Sequence, residues 1–257
     1  MKIDLQKSIN EFIKYTEKYD MSVFEIQNKQ KHSLRVMEIS NKIAKALNLS
    51  EDDIELATLI GLLHDIGRFE QFTQYHTFKD AFSFDHGDYG EQILQKDMRN
   101  YIDSDEYDDI IKIAVRNHNK YGIEEGLTER QLLFAKLIKD ADKIDILYES
   151  SCIFWKDRED IVNKSMVSNS TMEQFKQEKL IKKDKTKTPE PIDDIFTVMA
   201  FVFDINYKPS LEIIKDEDYI NKIVNRYNFI DETTKNSIEE ARNIANNYIE
   251  RNIRDKG

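Results

Sequence analysis

Residues 50–68 read SEDDIELATLIGLLHDIGR. Ser50 followed three residues on by Asp53 resembles a capping box, which sets the start of a helix there. Behind it, Ile54, Ala57, Gly61 and His64 share one face at the 3.6-residue period. Gly67 is expected to end the helix, so that His64 and Asp65 stand together at its end, where the chain can present both to one centre.

The same period continues on both sides. From His32, the residues Val36, Ile39 and Ile43 form an apolar stripe on a helix running to about Leu47. Helices are predicted at 85–97, 104–119 and 128–149, the last with Thr128 as N-cap and Gln131 three residues on. Weaker helices are expected within 158–187, and Pro189 and Pro191 mark a break. Three more follow, over Ile192–Asp204, Leu211–Tyr227 and Asp231–Arg254. The segment 69–84 carries Phe69, Phe72, Tyr75, Phe78, Phe82 and Phe84 without a clean period. It reads as an aromatic connection packed over the fold, with a lid or pocket wall as its functional reading. No strand is predicted, so the expectation is an all-α helical bundle. A domain over 1–150 carries an additional C-terminal helical extension, 151–257, packed on it.

Composition narrows the function classes. The 257 residues are 40% hydrophobic and 34% charged, with a mean hydropathy of -0.65, as expected of a soluble globular protein. The longest apolar run, Ile195–Phe203, is 9 residues, well short of the ~20 a membrane span needs. The start of the chain has no apolar segment of secretory type. The lone Cys152 cannot form an internal disulfide, which points to the cytoplasm. With 49 acidic and 38 basic side chains the net charge is -11. That field repels nucleic-acid backbones and requires a strong local cation for any phosphate-bearing ligand. Neither a P-loop, nor a dinucleotide-binding glycine fingerprint, nor a C-x-x-C pair occurs.

All five histidines, His32, His64, His76, His86 and His118, lie in the first half. His118 follows Ala114 by four and Ile111 by seven; His64 follows Ile60 and Ala57 in the same way. Both therefore face the apolar side of their helices. One inward histidine is ordinarily a hydrogen-bonded core residue, but several on different helices need a common partner, because each unpaired ring costs ~1–3 kcal/mol to bury. A metal ion supplies one. Asp142 lies in the middle of the apolar stripe of the 128–149 helix, where an unpaired carboxylate is costly. Asp140 reads as solvated, and Asp145 as a supporting partner or a surface charge.

The ordered set His32, His64-Asp65 and Asp142, with the run His64-Asp65-Ile66-Gly67-Arg68, resembles the HD-domain superfamily of metal-dependent phosphohydrolases. The resemblance covers about residues 25–150. It implies a first metal held by His32, His64, Asp65 and Asp142, with Asp65 bridging, and a second held by His86 and His118. Many phosphodiesterase members have a His-His pair where this chain has Asn117-His118. His76 matches nothing in the pattern; it reads as a surface or lid histidine rather than a proton donor to a leaving group.

A mixed imidazole and carboxylate set suits one or two divalent ions of Mn, Fe, Co, Ni or Zn better than Mg. The implied activity is hydrolysis of a small phosphorylated metabolite, a nucleotide monoester or diester, by metal-activated water. Asp65 would orient the nucleophile and Arg68 would face the phosphate, where a guanidinium can donate two hydrogen bonds. The alternative reading of Arg68 is a helix-terminal cation. Lys176, Lys179, Lys182, Lys183, Lys185 and Lys187 read as a solvated face before an anion-attracting one. Two other functions share the pattern: a di-iron oxygenase with the same ligands, and a non-catalytic regulatory HD module.

Overall fold

The computed structural model describes residues 3–152, 158–182 and 190–255. Its elements are α-helices and short 3-10 turns, with no strand among the described residues. Two compact units divide the chain at Asp142/Lys143.

The first unit opens with α1 (Leu5–Thr16), capped by the Asp4 carboxylate, which accepts from Lys7 N. Two helical hairpins follow. The first joins α2 (Phe24–Ala46) to α3 (Glu51–Leu63), whose N-cap Ser50 accepts from Asp53 N at 3.2 Å. α3 is buried on nearly every side from Leu56 to Leu63, as expected of a helix that is apolar all round. Gly61 permits this. A Cβ there would lie 2.6 Å from Ser40 Oγ and 2.8 Å from Met37 Cα, so α3 approaches the α2 backbone more closely than any side chain allows.

Gly67 does not end this helix. α3 stops at Leu63, a turn carries His64 to Gly67, and Gly67 is the N-cap of a further helix, α4 (Arg68–Tyr75). The aromatic segment is thus partly helical. Its Phe69, Phe72 and Tyr75 recur at helical spacing, with Phe69 buried and ringed by Phe12, Tyr15 and Tyr19. After His76, an exposed left-handed C-cap, the chain makes a 3-10 turn at Asp80–Phe82.

The second hairpin joins α5 (His86–Tyr101) to α6 (Asp108–Asn117). Asp85 caps α5 by accepting from Gly87 N and Asp88 N. A Cβ on Gly87 would meet Asn119 Oδ1 at 2.5 Å and Arg116 O at 2.9 Å, which brings α5 close to the end of α6. α1 packs on α3 and α5, and α3 also packs on α6.

α7 (Glu129–Cys152) starts with a reciprocal box, Gln131 N donating to Thr128 Oγ1 and Thr128 N to Gln131 Oε1. It is buried on more than one face. Asp140 is fully buried, which corrects the expectation of a solvated carboxylate; Asp145 is buried as well, which removes its surface-charge alternative, and Lys139 and Lys143 are buried too. An apolar-face reading assumes a helix with one wet side, and this stretch lacks one.

The second unit contains α8 (Arg158–Lys164), α9 (Asn169–Phe175), α10 (Pro191–Met199), a 3-10 turn at Ala200–Asp204, α11 (Lys208–Asp216), α12 (Tyr219–Asn225) and α13 (Glu232–Asp255). The helix expected over Leu211–Tyr227 is two, because Asp218 adopts a left-handed φ of 54° between α11 and α12. Both pack on α13 around Leu211, Ile223, Ile238 and Ala245. Of the lysine run, Lys176 pairs with Glu240, while Lys183, Lys185, Lys187 and Pro189 lie outside the described residues.

Candidate metal centre

Each hairpin delivers a pair of histidines. His32, on the buried face of α2, has its Nε2 3.2 Å from Nε2 of His64, the C-cap of α3. His86, the first residue of α5, has its Nε2 3.0 Å from Nε2 of His118, the C-cap of α6. All four rings are buried. The T-shaped contact of His64 with His118, with ring centroids 5.0 Å apart, joins the two pairs.

Asp65 lies between them. Its Oδ2 is 3.4 Å from His32 Nε2 and 3.6 Å from His64 Nε2. Its Oδ1 is 3.4 Å from His86 Nε2 and 3.3 Å from His118 Nε2. Asp142 closes the first half, with Oδ1 3.1 Å from His32 Nε2 and 3.6 Å from His64 Nε2. Groups able to hold an ion include His32–His64–Asp142 and His64–Asp65–His118. The six expected ligands therefore converge on one centre.

The neighbours of the rings fix their tautomers. His64 Nδ1 lies 2.8 Å from Gly61 O and His118 Nδ1 2.7 Å from Val115 O, and a carbonyl can only accept. His86 Nδ1 lies 2.8 Å from the Asp80 carboxylate. In all three rings Nδ1 therefore carries a proton and Nε2 is the nitrogen turned to the centre, where it offers a lone pair in the neutral ring. The Nε2 atoms of His86 and His118 face each other at 3.0 Å. Asp65 Oδ1, buried beside them, accepts no hydrogen bond. Four Nε2 atoms turned toward two carboxylates are a donor set that suits a cation, and a bond from Nδ1–H to a carbonyl or carboxylate is the usual support of a metal-bound imidazole. The residues fit a metal.

The charges fit as well. Burial alone would raise the Asp65 carboxyl, but the Lys29 ammonium and the surrounding imidazoles hold it well below the ordinary carboxylate range. Asp142 is held low in the same way, against its burial, by His32 and His64. Burial lowers His64, and it pushes His86 down to about 4, with Arg68 adding to the effect. These directions favour neutral His64 and His86 and ionised Asp65 and Asp142 near neutral pH, the forms that bind metal.

Residues 30–147 match the family model of the HD domain. The chain carries an HD domain. Comparison with curated proteins and with solved structures returns no match. The HD domain is an all-α fold that binds divalent metals, in agreement with the helices and the ligand groups described above.

Two residues beside the centre escaped the sequence reading. Lys29, 2.7 Å from Asp65 Oδ2, precedes His32 by three residues on α2, a spacing that could have found it. Asp80, the partner of His86, sits in an aperiodic stretch that offers no such signal. Arg68 reaches the centre, with Nε 3.5 Å from Asp65 Oδ1, but its Nη1 donates to Phe78 O, Gln71 Oε1 and Asp80 Oδ1. Asn117 is buried with its amide donating to Ile113 O and its oxygen accepting from Glu124 N, so it shapes the turn after α6. His76 stands apart from the centre as the exposed cap of α4.

Proposed function

We propose that this HD domain makes the chain a metal-dependent phosphohydrolase acting on a small phosphate ester of nucleotide type, monoester or diester. The observation that carries the reading is the two-sided Asp65 carboxylate, one oxygen toward His32 and His64, the other toward His86 and His118. His32, His64, Asp65 and Asp142 would hold one divalent transition metal, and His86, His118 and Asp65 a second. When bound, such ions supply Lewis acidity toward a phosphoryl oxygen and lower the pKa of water toward neutrality.

The protein's own groups support the rest. Lys29 and Arg68 flank Asp65 with positive charge, which offsets the repulsion expected from a net charge of -11. Their cationic ends lie 5.5 Å and 5.6 Å from the centroid of the same ring, Phe78. Phosphate-binding cations beside an aromatic face favour an ester with a planar organic group. Asp65 would orient the attacking water, and Arg68 would stabilise charge on the phosphoryl oxygens. Among the described residues no helix is long and apolar enough to cross a membrane, and a small cytoplasmic ester is the substrate proposed.

The test is elemental analysis of protein purified without chelator, followed by a metal-reconstituted screen against phosphate monoesters and diesters. At least one transition metal per chain and phosphate release from one ester class are expected. No release from any ester, with oxygen consumed by the iron form, would make the chain an oxygenase. A chain that binds neither metal nor ester turnover partners would overturn the enzymatic reading in favour of a regulatory module.

A further inference from the structure

Asp80 receives hydrogen bonds from four side chains. Arg68 Nη1 at 3.1 Å and Gln71 Nε2 at 2.8 Å, both on α4, donate to Oδ1. Asn119 Nδ2, just past α6, donates to Oδ2 at 3.2 Å. His86 Nδ1 reaches both oxygens, at 2.9 and 2.8 Å. Gln71, fully buried, also donates to Ser83 Oγ and Phe84 O, so the whole 78–84 stretch is tied down at this point. The same turn carries Phe82, which is 71% exposed. An aromatic segment with its tip in solvent is thus anchored by a carboxylate that also grips a ring of the metal centre.

We infer that Asp80 is a positioning residue that selects the metal-binding tautomer of His86, and that the anchoring of segment 78–84 and the filling of the His86–His118 half favour each other. This rests on the two-metal reading above. An imidazole has one proton to place. With Asp80 accepting from Nδ1, the Nε2 lone pair faces His118 and Asp65 Oδ1. Without Asp80, the proton can move to Nε2, 3.4 Å from Asp65 Oδ1, an oxygen that lacks a donor. That hydrogen bond would satisfy Asp65 and remove two ligand atoms from the second half at once. Coupling works in both directions: what holds Asp80 in place favours metal at His86, and metal at His86 favours the anchored segment by the same free energy.

The experiment is a two-site Mn2+ titration by calorimetry, with hydrogen exchange of amides 78–84, on the full chain and its Asp80→Ala and Asp80→Asn variants. The wild type should take two ions, the second slowing exchange in 78–84. Asp80→Ala should keep the affinity of the first ion, weaken the second ~10- to 100-fold, and lose the second-ion effect on exchange. Asp80→Asn should fall between, since its amide oxygen still accepts from Nδ1. An unchanged first site in both variants shows that the fold is retained. A wild type that takes only one ion overturns the two-metal reading, and this inference with it. Two ions in the wild type with equal second-site affinity in Asp80→Ala, or weakening that is the same at both sites, overturns this inference alone.

Discussion

Lys29 brings a cation to a centre made of acceptors. Its ammonium touches Asp65 Oδ2, and its side chain is only 15% exposed. A hydrogen bond to a charged group is worth ~1.5–3 kcal/mol, so Lys29→Met should lower kcat/KM on the best phosphate ester ~10- to 100-fold while metal content stays at the wild-type level. Arg68→Ala should cut kcat by ~10²- to 10³-fold with the first ion retained, by analogy with the loss of an oxyanion donor. Arg68→Lys should recover part, keeping the charge and losing the fork. Steady-state kinetics beside elemental analysis reads all three, and unchanged rates would remove the residue concerned from the site. At this scale the six side chains that gather at the centre were legible because each imidazole or carboxylate sits on an apolar helix face or at a helix end, where only a shared partner makes burial tolerable. The solvated reading of Asp140 and the surface-charge alternative for Asp145 fail because α7 has no wet face at that point, so periodicity cannot separate inside from outside. Asp80 was invisible because its role depends on a turn without period.

The helical hairpins set the spacing between histidines, and glycine sets how tightly each hairpin closes. Gly61 lets α3 lie against the backbone of α2 near Val36 and Met37, one turn beyond His32. Gly61→Ala places a methyl group where Met37 Cα and Val36 O already stand, at 2.8 and 2.9 Å, and backbone cannot yield as a side-chain tip can. Over-packing of this kind costs ~1–3 kcal/mol. The expected result is a loss of that size in denaturant unfolding, together with weaker binding of the first ion as His32 and His64 are pushed apart. A variant with wild-type stability and affinity would show that the hairpin has room to spare. The hairpins were legible from their caps and stripes. α1 was not anticipated, although Asp4 caps it, and α4 is hidden in sequence because aromatic residues continue past its end through Phe78, Phe82 and Phe84, where the helical spacing is lost. The division of the helix over Leu211–Tyr227 turns on one left-handed residue, Asp218, which a hydrophobic pattern does not register.

For the molecule as a whole, the centre sets the response to acid. In the metal-free protein His86 is depressed to about 4, and His64 is depressed too, from an ordinary value near 6.5. The unfolded chain therefore binds protons first as pH falls, and the folded state loses stability from about pH 6.5 downward toward 4. At pH 5 His86 alone should have removed about 2 kcal/mol relative to pH 7.5, and His64 adds to the loss in the same direction. The depressed Asp65 and Asp142 continue the trend below the ordinary carboxylate range. Chelator-treated protein should show a Tm that drops between pH 7.5 and 5, and added metal should raise Tm at pH 7.5 far more than at pH 5, because protons and ions compete for the same atoms. A Tm of the metal-free chain that is flat over this range would contradict the buried, neutral state of both rings.

The two histidine pairs have equal sequence separations, 64 − 32 = 32 and 118 − 86 = 32, whereas the contact that closes the first half spans 142 − 32 = 110 residues. Closing the longer loop costs about 1 kcal/mol more in chain entropy than closing either hairpin. The order of assembly follows. Each hairpin can draw its own imidazoles together from local sequence, and the last ligand arrives only when α7 docks. During synthesis the 142 − 118 = 24 residues between His118 and Asp142 take about 1–5 s to add at ~5–20 residues per second. For that interval the nascent chain carries all four imidazoles and Asp65 without Asp142, so the centre can be completed only from its C-terminal side.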